Sequence, residues 1–403
     1  MGDVQTFQAP DGRFIRLRPS TTSRHRGYVE LCLNQLNRET KEIFVPVGGD
    51  LDLILQAKDF SVSAHIKSDD GIFEKLNSHE ALVTFVRRYF TSNKKAALKF
   101  GDVEVFPDGS KQKARRYKKH IEVARQCNLA IDGDFVSWHP ELFTGWTNRA
   151  ESKATKELVG NPQIAVVLHL YYLDLWDEIE TLLSRWSFPF KLLVSINGKN
   201  DILRRKVESS FPGSIVRVVE NRGRDIRPFL LWLEEGSLDA FDVVCKIHGK
   251  RSLGGDRLPI FGDIMRRSAF LDLIGNDSQA RSIINRFVEN HALGIVGPER
   301  FHSMSHSSSG RDVIGSTNRQ NVEDIAGKMG LKIQEANFDF FEGSMFWLRP
   351  KALASLRDLN LASESFASEA GRLDGALEHA VERIFNHASR AAGFTNTGIE
   401  FNA

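Results

Sequence analysis

From residue 164 onward the apolar positions come in short runs, IAVVL at 164–168, LLVSI at 192–196, SIVRVV at 214–219 and VVCKI at 243–247. Runs of this length predict strands buried on both faces. Between them, 173–186, 202–209 and 226–235 take up the helical period, and Asp174, Asp177 and Glu178 suit the start of the first of these helices. Strands alternating with helices at this pace predict an α/β fold, a mainly parallel sheet flanked by helices. Further on, 266–274, 280–289, 351–359 and 374–391 predict helices, and 294–296 and 340–348 predict strands. Residues 302–319, rich in Ser, Gly and His, predict a long loop.

Residues 1–150 have a different rhythm. Short alternating segments at 14–17, 42–47 and 96–106 and a helical pattern at 80–90 predict a separate N-terminal α+β domain. The polar stretch 148–161 marks the boundary, which divides the chain into an accessory domain, 1–150, and a second domain, 151–403. A basic run, Lys111, Lys113, Arg115, Arg116, Lys118 and Lys119, reads first as the wet face of a helix. Its second reading is a patch for anionic lipid headgroups or a polyanionic acceptor.

Composition narrows the function classes. With 54 basic and 52 acidic residues the formal charge is +2, which fits neither a nucleic-acid wrapper nor an acidic disordered chain. No nucleic-acid recognition motif occurs, and nucleic acid is not an expected partner. Cys32, Cys127 and Cys245 are far apart, so a reducing, cytoplasmic setting is expected rather than a disulfide framework or a cysteine-rich zinc site. With no apolar leader and no uncharged apolar stretch of about 18 residues, the expectation is a chain that crosses no membrane as a helix, yet is able to lie on a membrane surface. His-Glu-x-x-His, P-loop and Gly-x-Gly-x-x-Gly motifs are missing, so metalloprotease, NTPase and Rossmann dehydrogenase chemistries lose support.

Three polar clusters carry the candidate chemistry. Glu220-Asn221-Arg222-Gly223-Arg224-Asp225 begins where a predicted strand ends and opens a helix, the place where α/β sheets form binding crevices. Asn221 suits a base or sugar edge. Asp225 suits a helix cap, a ribose hydroxyl or an arginine. Lys246-Ile247-His248-Gly249-Lys250-Arg251 lies at the next strand end, with Lys246 and His248 on one side and cationic groups suited to a diphosphate. The third cluster is FEGSMFWLRP at 341–350 followed by EAGRLDGALEHAVER at 369–383. It holds Glu342, Glu369 and Asp374, any one of which could take a proton from a sugar hydroxyl. His379 and Glu382 read as packing and ion-pair residues. Asp50-Leu51-Asp52 and Asp132-Gly133-Asp134 read as turns.

Taken in order, AVVLHLYYLDLW at 165–176, VVENRGRDIRPFL at 218–230, DVVCKIHGKRS at 242–252, GIVGP at 294–298, GSMFWLRP and DGALEHAVERIF resemble the rhamnan synthesis protein F family of bacterial polysaccharide enzymes. The resemblance covers about 165–385. It implies an A-type glycosyltransferase-like fold and transfer of a sugar, rhamnose from dTDP-rhamnose foremost, from a nucleotide diphosphate sugar. The acceptor it implies is a growing surface polysaccharide or lipid-linked glycan, at the inner face of the cytoplasmic membrane. It places His169, Tyr171, Tyr172, Asn221, Arg224, Asp225, Lys246, His248 and Lys250 around the donor, and ranks Asp374, Glu369 and Glu342 as the catalytic carboxylate. Lys246 and His248 stand where such folds often carry an Asp-x-Asp metal motif, so no metal or other cofactor is expected. A noncatalytic glycan-binding or assembly module, and a phosphodiester-forming transferase with the same donor pocket, are the other readings.

Overall fold

The structure, a computed structural model, describes residues 5–8, 14–19, 28–34, 41–46, 51–57, 63–66, 71–90, 96–100, 103–124, 157–251, 260–305, 313–333, 337–366 and 375–400. By internal packing the chain divides into two compact units, 1–146 with 250–267, and 147–249 with 268–403.

In the first unit the strands are Gln5–Gln8 (β1), Phe14–Pro19 (β2), Tyr28–Asn34 (β3), Lys41–Pro46 (β4), Asp52–Ala57 (β5), Ser63–Ile66 (β6), Gly71–Lys75 (β7), Leu98–Phe100 (β8) and Val103–Asp108 (β9). They form two antiparallel sheets, ordered β1-β6-β3-β4 and β7-β2-β5-β9-β8. The helices are Ser78–Phe90 (α1) and Lys111–Ala124 (α2). Ile54 and Phe106, paired across β5 and β9, pack with Leu76, and Ala81 of α1 covers them. On α2, Ala114 and Tyr117 are buried at helical spacing while Lys111, Lys113 and Arg115 are exposed, so these members of the basic run face water. Asp52 pairs with Arg18 at 3.3 Å; Asp50 and 132–134 lie outside the described residues.

From residue 157 on, the strands are Ile164–Leu170 (β10), Lys191–Ile196 (β11), Ile215–Val218 (β12), Val243–His248 (β13), Leu293–Pro298 (β14), His302–Met304 (β15), Asp339–Phe341 (β16), Phe346–Leu348 (β17) and Thr395–Ile399 (β18). The helices are Trp176–Leu183 (α3), Asp201–Ser210 (α4), Ile226–Glu234 (α5), Ile260–Ile274 (α6), Asp277–Glu289 (α7), Arg319–Lys328 (α8), Ala354–Arg357 (α9) and Leu377–Ala391 (α10). Seven strands form one sheet in the order β12-β11-β10-β13-β17-β14-β18. All run the same way except β17, which is antiparallel to both neighbours. The chain steps from β10 outward to β11 and β12, then returns to place β13 on the other side of β10. That reversal sets a topological switch point beyond the carboxyl ends of β10 and β13, the place where such sheets bind ligands.

The sheet is mainly parallel with one antiparallel strand, and 340–348 is not one strand. Gly343 and Ser344 adopt left-handed backbone, φ +85° and +49°, and break it into β16, which pairs with β15, and β17, which enters the large sheet. Part of the predicted loop 302–319 is strand β15. Helix α8 was hidden by its thin apolar stripe, Val322, Ile325 and Ala326, among polar residues, and β18 by its polar sequence TNTGI. Two short α-helices, α4 and α7, are capped by Asn200 and Asn276, which accept from Leu203 N at 2.8 Å and Gln279 N at 2.7 Å.

On one face of the sheet Ala165, Val167, Leu193, Val244 and Phe346 pack against apolar residues of α5, α8 and α10. On the other, Trp347 stacks on Trp186 with ring centroids 5.7 Å apart, and its Nε1 donates to Leu273 O at 2.9 Å. Trp347 is fully buried in the antiparallel strand that joins the two halves of the sheet. Trp347→Ala is expected to cost about 3–5 kcal/mol, lowering the urea midpoint, with Trp347→Phe losing clearly less. Equal midpoints for wild type and Trp347→Ala would show that this stack contributes no packing energy.

Candidate active site

Strands β10, β11 and β13 are buried almost throughout, which makes their polar residues conspicuous: His169, Ser195, Lys246 and His248. All four lie in the carboxyl-terminal half of their strands. Register sets Ser195, His169 and His248 side by side across β11, β10 and β13, and Lys246 shares their face two residues before His248. Gly249 N donates to His169 O at 3.0 Å and extends the β10–β13 pairing to the rim. The two histidines thus flank the switch point.

Asp225 enters this row from the segment between β12 and α5. It occupies the N-cap position of α5 but makes no capping bond. Its Oδ2 instead accepts from Lys246 Nζ at 2.7 Å and from Ser344 Oγ, and lies 3.7 Å from His248 Nε2. Lys246 Nζ also donates to Ser344 O at 2.7 Å and lies 2.9 Å from Ser344 Oγ. An ammonium has three N–H donors, and all three are engaged by Asp225 and Ser344. Phe229 and Phe346 flank it, with ring centroids 5.5 and 5.8 Å from Nζ. His248 Nε2 lies 2.7 Å from Gly343 O.

Both turns that deliver these partners are left-handed. Gly223 (φ +62°) precedes Arg224 (φ +54°), as Gly343 precedes Ser344. A Cβ on Gly223 would come within 2.6 Å of Phe366 Cδ1 and 2.8 Å of Arg227 Cβ, so only glycine fits. For Arg224 and Ser344 the left-handed backbone costs roughly 1–2 kcal/mol each, a strain that the surrounding contacts hold in place. Helix α10 braces both turns. Its Glu382 accepts from Gly343 N at 2.6 Å, and its His379 Nε2 lies 3.0 Å from Arg224 Nη1. Ser195, Ser344, Glu382 and His379 were not singled out by the sequence as site residues. The signal for Ser195 is a hydroxyl inside an otherwise apolar strand; that for the other three is only their presence in the family-like blocks.

The other expected residues are placed less centrally. Tyr171 and Tyr172 follow β10 as an edge-on pair, centroids 4.8 Å apart, with Tyr171 41% exposed. Asn221 is exposed on the loop after β12. Glu342 accepts from Ser303 Oγ at 2.5 Å, beside the Gly343 turn. Lys250 falls in the segment grouped with the first unit. Asp374 and Glu369 lie outside the described residues; α10 begins at Leu377, three residues after Asp374, with Ala376 as its N-cap. A groove of about 270 Å³ opens between the end of β12 and α5. Its arginines are matched by carboxylates: Arg217 to Glu235 at 2.7 Å, Arg227 to Glu234 at 2.5 Å and Arg222 to Glu220 at 3.3 Å.

Burial by itself pushes the Asp225 carboxyl up, but the charges of His248 and Lys246 and the hydrogen bonds from Lys246 and Ser344 outweigh it and hold it well below the carboxylate range. Burial lowers the His169 imidazole to about 4, only partly offset by Asp225, so the ring is neutral at pH 7. Its Nδ1 lies 3.0 Å from Ser195 Oγ. Among the described residues no three His, Cys, Asp or Glu side chains converge as metal ligands. The carboxylate of the cluster, Asp225, is bonded to the Lys246 ammonium.

A mixed α/β sheet thus carries buried ionised groups at its switch point. The chain belongs to the rhamnan synthesis protein F family, whose model matches residues 143–394. Uncharacterized protein WxcX of Xanthomonas campestris pv. campestris, in strain B100 and again in strain ATCC 33913, is 31% identical over 258 residues, 62% of this chain. The chain spans about a third of the length of these curated relatives (34%). Among solved structures, S. aureus TarS residues 1–349 in complex with UDP-GlcNAc aligns at 12% identity with a TM-score of 0.32, over 60% of this chain and 57% of that one. The same fragment without ligand aligns at 13% with a TM-score of 0.33, over 60% and 59%. No helix among the described residues is long and apolar enough to cross a membrane.

The depressed His169 gives a pH signature. Between pH 6.5 and 4 the unfolded chain binds a proton that the folded chain refuses. Stability present above pH 6.5 is therefore lost as pH falls through this window, by about 3 kcal/mol at its lower end. Urea melts of His169→Gln should show a pH slope between 7 and 4.5 that is smaller by about one proton. It will not vanish, because burial and Arg390 also depress His387. An unchanged slope would mean that His169 is not desolvated.

Proposed function

We propose that the chain is a nucleotide-sugar-dependent glycosyltransferase of A-type architecture. It moves a hexose or deoxyhexose, with rhamnose from dTDP-rhamnose as the leading donor, to a hydroxyl of a growing polysaccharide or lipid-linked glycan. The observation that carries this reading is the convergence of His169, Asp225, Lys246 and His248 at the switch point, where α/β sheets take ligands, in a chain of a rhamnan synthesis family. The inner face of the cytoplasmic membrane is the proposed place of work; the exposed cations of α2 suit an anionic surface.

In the proposed reaction the acceptor oxygen bonds to the anomeric carbon and the bond from that carbon to the diphosphate oxygen breaks. The electron pair stays on the diphosphate, and the hydroxyl proton passes to a carboxylate. Asp374 is the first choice for that base, Glu369 the second and Glu342 the third. Charge growing on the diphosphate is met by Arg224 and His248. Lys246 acts through Asp225 and Ser344, since its donors are taken up by them. Neutral His169 offers a hydrogen bond without adding charge. No step assigns a role to a divalent ion.

A screen of nucleotide sugars in excess EDTA, with mass analysis of the products, tests the reading. Glycosyl addition to a glycan acceptor is expected, and Asp374→Asn should lower turnover at least about 100-fold while leaving donor affinity within a few-fold. A phosphate-bridged product would point to a different transferase. Full EDTA inactivation reversed by Mg²⁺ or Mn²⁺ would contradict the metal-free site, and near-normal turnover in folded Asp374→Asn would move the base to Glu369.

A further inference from the structure

We propose that Asn318 and Asn321 are positioning residues for sugar transfer. From the start of α8 they clamp Gly375, the residue that joins Asp374 to α10. The assignment rests on reading the chain as a glycosyltransferase with Asp374 as its base. Helix α10 begins without a cap of its own: its N-cap residue, Ala376, has no side-chain oxygen to receive the amides of the first turn. The segment in front of it takes its partners from α8 instead. Asn318 Oδ1 accepts from Gly375 N at 3.0 Å, and Asn321 Nδ2 donates to Gly375 O at 3.3 Å. Two asparagines three residues apart thus grip both backbone polar groups of one glycine.

Asn318 forgoes a local bond to do this. It stands at the N-cap of α8, where an asparagine side chain ordinarily accepts from the amides of its own helix. It makes no such bond, unlike Asn200 and Asn276 on α4 and α7. Asn318 is wholly buried, and its own N donates to Gly315 O at 3.0 Å. Beyond it, Val322 and Ile325 of α8 share a buried core with Val381 and Ile384 of α10, so the clamp stands on a packed base. Gly375 has left-handed backbone, φ +82°. Glycine takes that conformation without strain but takes many others as readily, so the turn needs a grip from outside to stay in one of them.

The amide held by Asn318 is the peptide bond between Asp374 and Gly375. A general base has to come within hydrogen-bond reach, roughly 2.6–3.2 Å, of the proton it takes. A misplacement of about 1 Å, even from a change far from the chemistry, can cost about 100-fold in rate. The proposed donor groups have other supports. His169, Lys246 and His248 are fixed by strand register, and Asp225 by Lys246 and Ser344. His379, which faces Arg224, accepts at Nδ1 from Ala376 N at 3.2 Å, a bond internal to the start of α10. Loosening the clamp therefore acts on turnover and spares donor affinity.

A cycle of Asn318→Ala, Asp374→Asn and the double variant tests the assignment. Turnover is measured with the nucleotide sugar and glycan acceptor that the screen selects, and affinity by calorimetric titration of dTDP and UDP. Asn318→Ala is expected to lower kcat about 10- to 100-fold and to leave nucleotide affinity within about twofold. Asn318→Asp keeps an acceptor for Gly375 N and should bring kcat back to within about fivefold of wild type. In the Asp374→Asn background, Asn318→Ala should cost less than about twofold more, because the carboxylate it positions is gone. Asn321→Leu releases only the 3.3 Å bond. It should lower kcat about 3- to 10-fold with unchanged affinity, which keeps the clamp testable if Asn318→Ala does not fold. Multiplicative losses in the double variant, kcat and nucleotide affinity falling together, or unchanged kcat in both folded asparagine variants would overturn the clamp alone. Near-normal turnover in folded Asp374→Asn, or wild type that transfers sugar from no nucleotide sugar, would overturn the reading beneath it and the clamp with it.

Discussion

A lysine ammonium buried to 1% exposure needs a full set of partners. Lys246 finds them in one carboxylate and one serine, and this constraint organises the site around it. Asp225 has to forgo a capping bond on α5 and turn its side chain inward. Ser344 has to present its carbonyl and its hydroxyl to the same nitrogen, which a left-handed turn achieves. Removing Asp225 leaves the Lys246 charge buried and uncompensated, at a cost of about 3–5 kcal/mol. The two strained turns are then held from outside by one helix, α10, through His379 and Glu382. Strand register, turn chirality and the placement of α10 all converge on a single ion pair.

That pair also sets the charge balance of the crevice. Lys246 and Asp225 cancel, and His169 is kept neutral by burial. Buried ion pairs give little net stability compared with an apolar core. Their retention at a strand end, beside two left-handed turns, fits a role in fixing geometry for a ligand.

The sheet was legible in the sequence because its strands are covered on both faces. IAVVL and VVCKI are short uninterrupted apolar runs of the kind such strands carry, and the positions of His169, Lys246 and His248 at strand ends followed from them. The resembling motifs pointed to Asp225. What they left open was its partner: a cap, a ribose hydroxyl and an arginine were all compatible with an aspartate at a helix start, and the lysine across the sheet emerges only from register. The break in 340–348 was hidden because Gly343-Ser344 sits between two apolar runs, and only the backbone angles show that the chain turns there. Glu382 reads as a surface charge in a helix until α10 is placed against the Gly343 turn.

The central claim is that the Asp225–Lys246 pair builds the donor site as a unit. A double-mutant cycle of Asp225→Asn, Lys246→Met and the combined variant, read as the dissociation constant for a nucleoside diphosphate, tests it most directly. Each single change is predicted to weaken binding at least about tenfold, and the double variant no more than the worse single. Additive losses, or binding untouched by either change in folded protein, would contradict it.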